Sequence, residues 1–373
     1  MTARRVPFNA LVPGEDAADI KAAIDRVIAS GWFVLGPEVA AFEAEFAAAA
    51  GAAHAVGVGT GTDAIAIVLR ALGIGPGDEV ITTPLSAAYT ALAIMMTGAR
   101  PVFVDIDPVR LTLDPAGIAR AVSSRTKAIL PVHLYGQAAD MTALEQVAAR
   151  HHLPIVEDCC QAHLATANGR PVGTVGVAGA FSFYPTKNLG ALGDGGAVIT
   201  SDPALADRVK RLRNGGQSSR YHHDEAGVNS RLDEMQAAIL RARLTRLRGW
   251  TERRRAIAAR YRRLLGGIDG VTLPVECDAG HVYHLFVVRA ARVARAALQS
   301  ALAADGVETL IHYPVPIPRQ PALAGTNPAD CPIAARACDD VLSLPLYPGL
   351  GDEDVDAVAA SLRIQSAHLL RKD

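Results

Sequence analysis

Apolar and polar positions follow two alternating patterns over the first half of the 373-residue chain. From about Asp16 to Leu205, segments with an apolar residue every three or four positions alternate with short apolar runs typical of strands buried on both faces. The predicted strands are His54–Val58, Glu79–Thr82, Arg100–Val104, Ala128–Val132, Pro154–Glu157, Ala178–Phe183 and Gly196–Thr200. This order predicts an α/β fold in which helices cover a mostly parallel sheet.

The pattern changes in the last third of the chain. Apolar positions from Met235 to Leu265 predict one long or kinked helix, broken near Gly249, with arginines on its other face. The segments predicted beyond it are a strand at Val282–Val288, a helix at Arg292–Asp305 and a proline-rich loop without regular structure at Pro314–Pro328. We therefore expect a large domain at residues 1–249 and a smaller C-terminal α+β domain at residues 250–373.

Composition and charge exclude several classes of function. Apolar residues make up 50% of the chain, but no apolar run approaches the roughly 20 residues that a membrane span requires. The net charge of −1 supplies no field that would attract nucleic acid, and the basic run Arg253–Arg263 is interpreted as a solvated helix face. The N-terminus has no apolar stretch of signal-peptide length, which favours a cytoplasmic location.

Cysteines and histidines give little indication of a disulfide framework or a metal site. The five cysteines are odd in number and include no CxxC pair, so reduced thiols are expected. His281 and His284 lie three residues apart in a predicted strand. Their side chains would point to opposite faces of that strand, so we expect no shared zinc ion and no metal elsewhere.

The most informative motif is Phe181-Ser182-Phe183-Tyr184-Pro185-Thr186-Lys187-Asn188-Leu189-Gly190. It places Lys187 in a turn between an apolar run and a glycine-rich segment, where a lysine can form an imine. An earlier apolar run ends at Asp158 and is followed by Gln161 and His163. Pyridoxal phosphate requires a lysine for its Schiff base and an acid that keeps its pyridine nitrogen protonated. The pair Lys187 and Asp158 therefore suggests this cofactor, although Asp158 alone is more typical of a turn or cap.

The segment Gly57–Asp63 predicts an anion site at the start of a helix. It follows a strand and precedes the predicted helix Ala64–Leu72, whose first amides would be free and would lie at the positive end of the helix dipole. The alternative is a dinucleotide fingerprint, but Thr62 occupies the third glycine position of GxGxxG. The purely structural alternative, in which Asp63 or Thr62 merely caps the helix, is compatible with either function. Ser182 would add a hydroxyl to a phosphate cradle.

Motifs in the same order over nearly the whole length resemble the DegT/DnrJ/EryC1/StrS family of pyridoxal phosphate-dependent nucleotide-sugar aminotransferases. These motifs are Ser30-Gly31-Trp32 to Gly36-Pro37, Gly59-Thr60-Gly61-Thr62-Asp63-Ala64, Tyr135-Gly136-Gln137, Val156-Glu157-Asp158 to Gln161-Ala162-His163, the lysine motif, Asn229-Ser230-Arg231-Leu232-Asp233 to Gln236-Ala237-Ala238, Ile311-His312-Tyr313-Pro314 and Leu342-Ser343-Leu344-Pro345. The resemblance implies a fold-type I aminotransferase.

The resemblance also implies a role for individual residues. Lys187 would form the Schiff base and later move the proton between C4′ of the cofactor and the substrate carbon. Asp158 would pair with the pyridine nitrogen, and Gln161 would contact the side of the ring that carries the hydroxyl. The other implied cofactor contacts are Thr60, Gly61, Thr62, Tyr89, Ser182 and Asn229, and the implied substrate contacts are His163, Tyr184, Arg231, His312 and Tyr313. Tyr89 would stack on the cofactor ring, or else be plain core.

Assembly and substrate are also implied by the resemblance. Asn229, with Arg231, would reach into the neighbouring subunit's site, so an obligate twofold homodimer is expected. The version Tyr184–Ala191 of the lysine motif resembles the subgroup that aminates C3 of the sugar, with L-glutamate as donor and a dTDP-3-keto-6-deoxyhexose as acceptor. The chain departs from its relatives at Pro318 and Arg319, where they usually carry a histidine.

Other functions remain open from the sequence. The acceptor could instead be a UDP-linked 3-keto uronic acid, another keto sugar or a cyclitol. A different class would be a non-catalytic relative or a sugar-binding regulator that keeps the fold. A dehydrogenase is the third alternative, and it would bind NAD rather than pyridoxal phosphate.

Overall fold

The protein is described by a computed structural model over residues 5–326 and 330–371. Its α-helices in this part of the chain are α1 (Ala17–Ser30), α2 (Pro37–Ala50), α3 (Gly61–Ala71), α4 (Tyr89–Met96), α5 (Pro115–Ala121), α6 (Met141–His151), α7 (Pro203–Leu212), α8 (Glu234–Leu244), α9 (Leu247–Leu265), α10 (Arg295–Ala304), α11 (Pro332–Asp340) and α12 (Asp352–Leu370). Its strands are β1 (His54–Val58), β2 (Glu79–Thr82), β3 (Arg100–Phe103), β4 (Thr126–Leu130), β5 (Val156–Asp158), β6 (Thr166–Ala167), β7 (Arg170–Pro171), β8 (Ala178–Ser182), β9 (Gly196–Thr200), β10 (Gln217–Ser219), β11 (His222–His223), β12 (Phe286–Arg289) and β13 (Val341–Leu344).

A large mixed sheet with strand order β1-β9-β8-β5-β4-β2-β3 forms the centre of the fold. Strands β2, β3, β4, β5 and β8 pair in parallel, and β9 is antiparallel to both of its neighbours. The bridges Ile129 to Ile155 and Val132 to Asp158 join β4 to β5. The prediction of a mostly parallel sheet is confirmed, and the bounds of β1, β2 and β9 agree with the predicted strands.

Helices cover both faces of this sheet because adjacent residues of its strands point to opposite sides. On β2 and β4, Ile81 and Ile129 pack into one core with α2 and α6, whereas Val80 and Ala128 pack into a second core with α3 and α7. The strands therefore contain continuous apolar runs. None of the described helices is both long and apolar enough to cross a membrane.

The C-terminal part contains a third core, formed by α9, α10, α12 and the antiparallel pair β12 and β13. The predicted single helix over 235–265 is wrong: α8 ends at Leu244 and α9 begins at Leu247. The break lies at Thr245, whose hydroxyl donates to the Ala242 carbonyl at 2.8 Å, rather than at Gly249 inside α9. The predicted domain division between residues 249 and 250 falls within α9 and stays a prediction.

Part of the predicted solvated face of α9 is buried. Arg254 is 5% exposed, and its Nη1 donates to backbone carbonyls of the C-terminal part. Arg253 forms an ion pair with Asp352 at 2.8 Å, and Arg255 donates to the His281 carbonyl at 2.9 Å. The spacing of apolar residues could not show which arginines of α9 are buried and which are solvated, because their carbonyl partners lie in distant segments of the chain.

Two predictions for the last third of the chain require correction. The strand predicted at Val282–Val288 is shorter and later, at Phe286–Arg289, because the preceding residues bond to the loop that contains Gly136. The proline-rich segment forms two 3₁₀ turns at Ile317–Arg319 and Pro321–Thr326, with proline in the first turn of each, where no amide hydrogen bond is lost. The end of this predicted loop, Pro328, lies outside the described residues.

Candidate active site

The candidate site lies at the carboxyl ends of β5 and β8, the edge of a parallel sheet where ligands commonly bind. Asp158 ends β5, and its register partner in β8 is Ala180, so the chain leaves β8 beside Asp158 and continues through the turn to Lys187. A cleft of about 920 Å³ contains Lys187 on its wall, together with the N-terminal segment Asn9–Asp16. The fold thus brings together the two residues that the sequence singled out.

Lys187 lies in a tight turn and is only partly exposed. Its backbone amide donates to the Tyr184 carbonyl at 2.8 Å. Burial lowers the pKa of the Lys187 amine, and the nearby Cys160 and Asp158 offset part of this shift. The result is a larger neutral fraction near neutral pH, which is the form in which an amine attacks a carbonyl.

Asp158 is buried, with 4% of its surface exposed. Oδ2 accepts from the Thr90 hydroxyl at 2.8 Å, and Oδ1 accepts from the Cys160 amide at 3.1 Å. Within the described ranges, no cationic side chain forms a salt bridge with Asp158. Since a buried carboxylate is costly without a cation, this site fits a protonated ring nitrogen.

Gln161 connects β5 to the C-terminal part through a hydrogen-bond network. Its Oε1 accepts from the Tyr135 amide at 2.8 Å, and its Nε2 donates to the Tyr313 hydroxyl at 2.9 Å. The Tyr135 hydroxyl donates in turn to the His312 carbonyl, and His312 Nδ1 lies 2.8 Å from the Ser343 hydroxyl. The predicted residues Gln161, His312 and Tyr313 therefore share one network beside Asp158.

The start of α3 forms a concave anion site against β8. The Thr60 hydroxyl accepts from the Asp63 amide at 3.0 Å, which caps α3 and leaves the amides of Gly61 and Thr62 at the free end of the helix. A Cβ added at Gly61 would lie 2.7 Å from Ser182 Cβ and 2.8 Å from Cys160 Sγ. This close approach puts the Ser182 hydroxyl beside the helix start, so the set of donors fits a phosphate group.

The remaining predicted contacts differ in exposure. Tyr89, the first residue of α4, is 64% exposed and Tyr184 is 52% exposed, so the plain-core alternative for Tyr89 does not hold in this structure. Asn229 is also exposed, and the adjacent Ser230 accepts from the Gly59 amide at 2.9 Å and donates to Asp63. Arg231 donates to Asn214 at 3.1 Å. The predicted roles of Tyr89, Tyr184, Asn229 and Arg231 stay predictions.

His163 has no exposed surface, and neither of its ring nitrogens has a hydrogen-bond partner among the described residues. The ring packs against Phe181 and Phe183 with centroid distances of 5.4 and 5.8 Å. Burial, with a smaller contribution from the nearby Lys187, lowers the pKa of His163 to about 3. In this conformation His163 has no surface for a ligand, so its role as a substrate contact stays a prediction.

Sequence reasoning missed several polar residues that hold the site. Thr90 bonds to Asp158, Tyr135 bonds to Gln161, and Asn188 accepts from His284 Nδ1 at 3.1 Å. Tyr135 and Asn188 lie within motifs of the resemblance but received no role, and Thr90 directly follows Tyr89. Their positions within these motifs were the signal that could have identified them.

A lysine and a buried aspartate at the same sheet edge, beside a helix start that fits a phosphate, define the site of a pyridoxal phosphate enzyme of the aminotransferase class. The chain belongs to the DegT/DnrJ/EryC1/StrS aminotransferase family, whose model matches residues 15–363. The predicted family, fold class and enzyme class are thereby confirmed. The dehydrogenase and non-catalytic alternatives are set aside.

Known relatives cover almost the entire chain. A protein of Streptomyces venezuelae named dTDP-3-amino-3,4,6-trideoxy-alpha-D-glucose transaminase is 51% identical over 93% of this chain and 92% of its own length. A Pseudomonas aeruginosa protein named UDP-2-acetamido-2-deoxy-3-oxo-D-glucuronate aminotransferase is 40% identical over 92% of this chain and 95% of its own length.

Solved structures support the same assignment. The crystal structure of S. venezuelae DesV, in complex with a ketimine intermediate, superposes with a TM-score of 0.94 and is 49% identical over 97% of this chain and 98% of its own. The Bacillus subtilis protein NtdA, with bound cofactor PMP, gives a TM-score of 0.91 at 32% identity over 97% of this chain and 85% of its own. The predicted cofactor, pyridoxal phosphate, is confirmed.

Proposed function

We propose that this aminotransferase transfers the amino group of L-glutamate to C3 of a dTDP-linked 3-keto-6-deoxyhexose. The single observation that carries the chemistry is the parallel register of β5 and β8, which places Asp158 beside the strand end that leads into the Lys187 turn. The choice of sugar is supported by the 51% identity to a transaminase whose product is a dTDP-linked 3-amino sugar.

The residues of this chain have distinct proposed roles. The amides at the start of α3, with Thr60 and Ser182, hold the phosphate, and Asp158 holds the ring nitrogen protonated. When bound, the cofactor supplies an electron sink for the carbanion that forms at the substrate carbon. Lys187, as a neutral amine, would move a proton from the α carbon of the amino donor to C4′ of the cofactor, and in the acceptor half-reaction it would move a proton from C4′ to the sugar carbon. Gln161, which is held in place by its hydrogen bond to the Tyr313 hydroxyl, contacts the side of the cofactor ring that carries the hydroxyl.

We also propose that the active unit is a twofold homodimer with shared sites. Exposed aromatic and polar groups support this assembly, because a second copy would cover them. The polar group is Asn229. The exposed aromatic residues are Trp32, Phe33, Tyr89, Tyr184 and Tyr221.

The donor half-reaction gives the first test. Purified protein with pyridoxal phosphate should show the absorption band of the lysine-bound cofactor, and L-glutamate should convert it to the pyridoxamine form. Lys187→Ala, folded by circular dichroism, should show neither the band nor the conversion. A wild-type protein without the band would overturn the proposed role of Lys187.

The acceptor is tested with the pyridoxamine form of the protein. A dTDP-3-keto-6-deoxyhexose should restore the lysine-bound band in a single turnover and yield a 3-amino sugar by NMR. Restoration only by a 4-keto sugar would overturn the proposed position of amination. The second candidate acceptor, a UDP-linked 3-keto uronic acid, is favoured by the 40% identity to the Pseudomonas aeruginosa enzyme and belongs in the same assay.

A further inference from the structure

Two buried hydroxyl groups form a short chain of hydrogen bonds that ends at Asp158. Thr90, the second residue of α4, is 2% exposed, and Ser86, in the loop between β2 and α4, is 5% exposed. The Thr90 hydroxyl lies 2.8 Å from Asp158 Oδ2, and the Ser86 hydroxyl lies 3.3 Å from the Thr90 hydroxyl. The chain therefore connects the loop before α4 to the carboxylate at the end of β5.

The direction of these hydrogen bonds follows from the protons that the groups carry. An ionised carboxylate only accepts, so Thr90 must donate its single hydroxyl proton to Asp158. The Thr90 oxygen then accepts in its other contact, and Ser86 is the donor there. Hydrogen bonds in such a chain polarise one another. Both donations therefore point toward the carboxylate, and Ser86 strengthens the bond that Thr90 gives.

Thr90 reaches Asp158 from a different segment, whereas a second hydrogen bond is local. The Cys160 amide donates to Asp158 Oδ1 at 3.1 Å, a contact between residues two positions apart. A carboxylate held at one oxygen can still turn about its terminal torsion, which has broad minima. Thr90 holds the other oxygen. The two bonds together fix the plane of the carboxylate and leave further lone pairs on both oxygens for a ligand.

We infer that Thr90 is a positioning residue that orients the Asp158 carboxylate toward the ring nitrogen of pyridoxal phosphate, with Ser86 as the donor behind it. A hydrogen bond from a ring N–H to a carboxylate depends on direction, so a carboxylate that turns freely holds the nitrogen less well. The inference rests on the proposed role of Asp158 and names the residues that support this role. Because Thr90 acts through Asp158, its loss should lower the reaction rate rather than the affinity for the amino donor.

The rate of the donor half-reaction gives the first test. Thr90→Val keeps the branched shape of the side chain and removes the donor, whereas Thr90→Ser keeps the donor. In single turnovers of the holoenzyme with L-glutamate, Thr90→Val should lower the limiting rate about tenfold, the effect of losing one hydrogen bond to a charged group. The half-saturating concentration of L-glutamate should change less than about twofold, and Thr90→Ser should restore most of the rate.

Thr97→Val is the matched control on the same helix. Thr97 directly follows α4 and is buried, but its hydroxyl donates to the Ile94 carbonyl at 2.8 Å rather than to a carboxylate. Its loss should lower stability and leave the rate within about twofold of wild type. Ser86→Ala should lower the rate about threefold, the effect of a weaker neutral hydrogen bond. This small substitution keeps the inference testable even when Thr90→Val does not fold.

A cofactor analogue separates the orientation of Asp158 from a general role of Thr90 in the fold. In deazapyridoxal phosphate a C–H group replaces the ring nitrogen, so the analogue lacks the group that Asp158 would hold. Apoprotein of wild type should bind pyridoxal phosphate more tightly than the analogue, and Thr90→Val should reduce this preference about 3- to 10-fold. Thr97→Val should leave the preference unchanged. An equal loss of affinity for both cofactors in Thr90→Val would overturn the inference, because it indicates a structural role.

Asp158→Asn distinguishes failure of the inference from failure of the proposed function. It should reduce the preference for pyridoxal phosphate more than Thr90→Val does. If Asp158→Asn keeps the wild-type preference, the proposed role of Asp158 is wrong and the inference falls with it. If Asp158→Asn loses the preference while Thr90→Val keeps both the preference and the rate of wild type, only the inference fails. The preference is measured without an amino donor, so it does not depend on the proposal of L-glutamate.

Discussion

The two sides of the sheet at the end of β5 use neighbouring carboxylates in opposite ways. Glu157 has no exposed surface and accepts from the amides of Gly173, Val175 and Gly176 at 2.7 to 2.9 Å. It also accepts from His133 Nε2 at 2.9 Å. Asp158, on the other side, accepts hydrogen bonds from the Thr90 hydroxyl and the Cys160 amide.

The structural side is completely bonded. His133 accepts the Ala139 amide at Nδ1, so its Nε2 carries the proton that Glu157 accepts. His133, Glu157 and Cys159 form a group with the ligand types of a metal site. However, the oxygens of Glu157 and both nitrogens of His133 already have partners, so a metal would have to displace existing bonds. We do not propose a metal at this group.

The difference shows how one strand can serve both stability and chemistry. Adjacent strand residues point to opposite faces, so a two-residue acidic segment supplies both sides. The side that holds a loop is saturated with donors from its own chain. The side at the cleft keeps unused acceptor capacity for a ligand. Substitutions at the two positions should therefore affect different quantities.

The largest effect is expected from Asp158→Asn. Asparagine keeps an oxygen for the Cys160 amide but cannot hold the ring nitrogen protonated, so the rate of the donor half-reaction should fall by roughly 100-fold or more. Single-turnover absorbance measures this rate. The thermal midpoint should stay within about 2 °C of wild type, which corresponds to about 1–2 kcal/mol for a chain of this size. A wild-type rate in Asp158→Asn would contradict the conclusion that Asp158 serves the chemistry and Glu157 the stability of the fold.

Glu157→Gln should act on stability instead. The glutamine side chain provides one acceptor oxygen in place of two. Either the amides of Val175 and Gly176, which donate to Oε1, or the Gly173 amide and His133 Nε2, which donate to Oε2, therefore lose their acceptor. The expected loss is about 3 kcal/mol of unfolding free energy, measured by urea denaturation at pH 7. Below the transition, the half-reaction rate per folded molecule should remain near that of wild type. A large rate loss without destabilisation would contradict the assignment of Glu157 to the structural side.

The amino-acid sequence predicted the large sheet well. Runs such as Glu79–Thr82 place apolar residues on both faces of the strand and are bounded by turn residues. It predicted the C-terminal part less well. The strand that contains Val282 was placed too early because its apolar residues pack in an irregular segment against the Gly136 loop. Such pairing between distant segments leaves no periodic signal.

The candidate site shows the same limit. Lys187 and Asp158 were identified from their motifs, and the structure places both at one sheet edge. The burial of Arg254 against backbone carbonyls could not be predicted, because α9 has many arginines in its sequence and only the fold determines which of them meet a carboxylate and which meet carbonyl groups. The pairing of Gln161 with Tyr313 depends on a contact between residues 152 positions apart.

The buried histidine beside the cleft gives a pH-dependent test. Burial lowers the pKa of His163 to about 3, below the value of an unfolded histidine, so the unfolded state binds the proton first as pH falls. The stability contribution is present above pH 6.5 and is lost on acidification. Between pH 6.5 and 5 the loss should be about 2 kcal/mol. His163→Phe, which keeps the packing against Phe181 and Phe183, should reduce the change in unfolding free energy between pH 6.5 and 5 by this amount. An unchanged slope would show that another group dominates it.

The smallest expected effect concerns the phosphate side of the site. An added Cβ at Gly61 would lie 2.7 Å from Ser182 Cβ, so Gly61→Ala must push the start of α3 away from β8. The affinity for pyridoxal phosphate, measured by fluorescence titration of the apoprotein, should fall about tenfold, or about 1.4 kcal/mol. Gly249→Ala is the matched control, because its Cβ would meet no atom within 4 Å and it lies in α9, where alanine favours the helix. Equal affinity in both variants would mean that the contact between Gly61 and Ser182 does not shape the cradle.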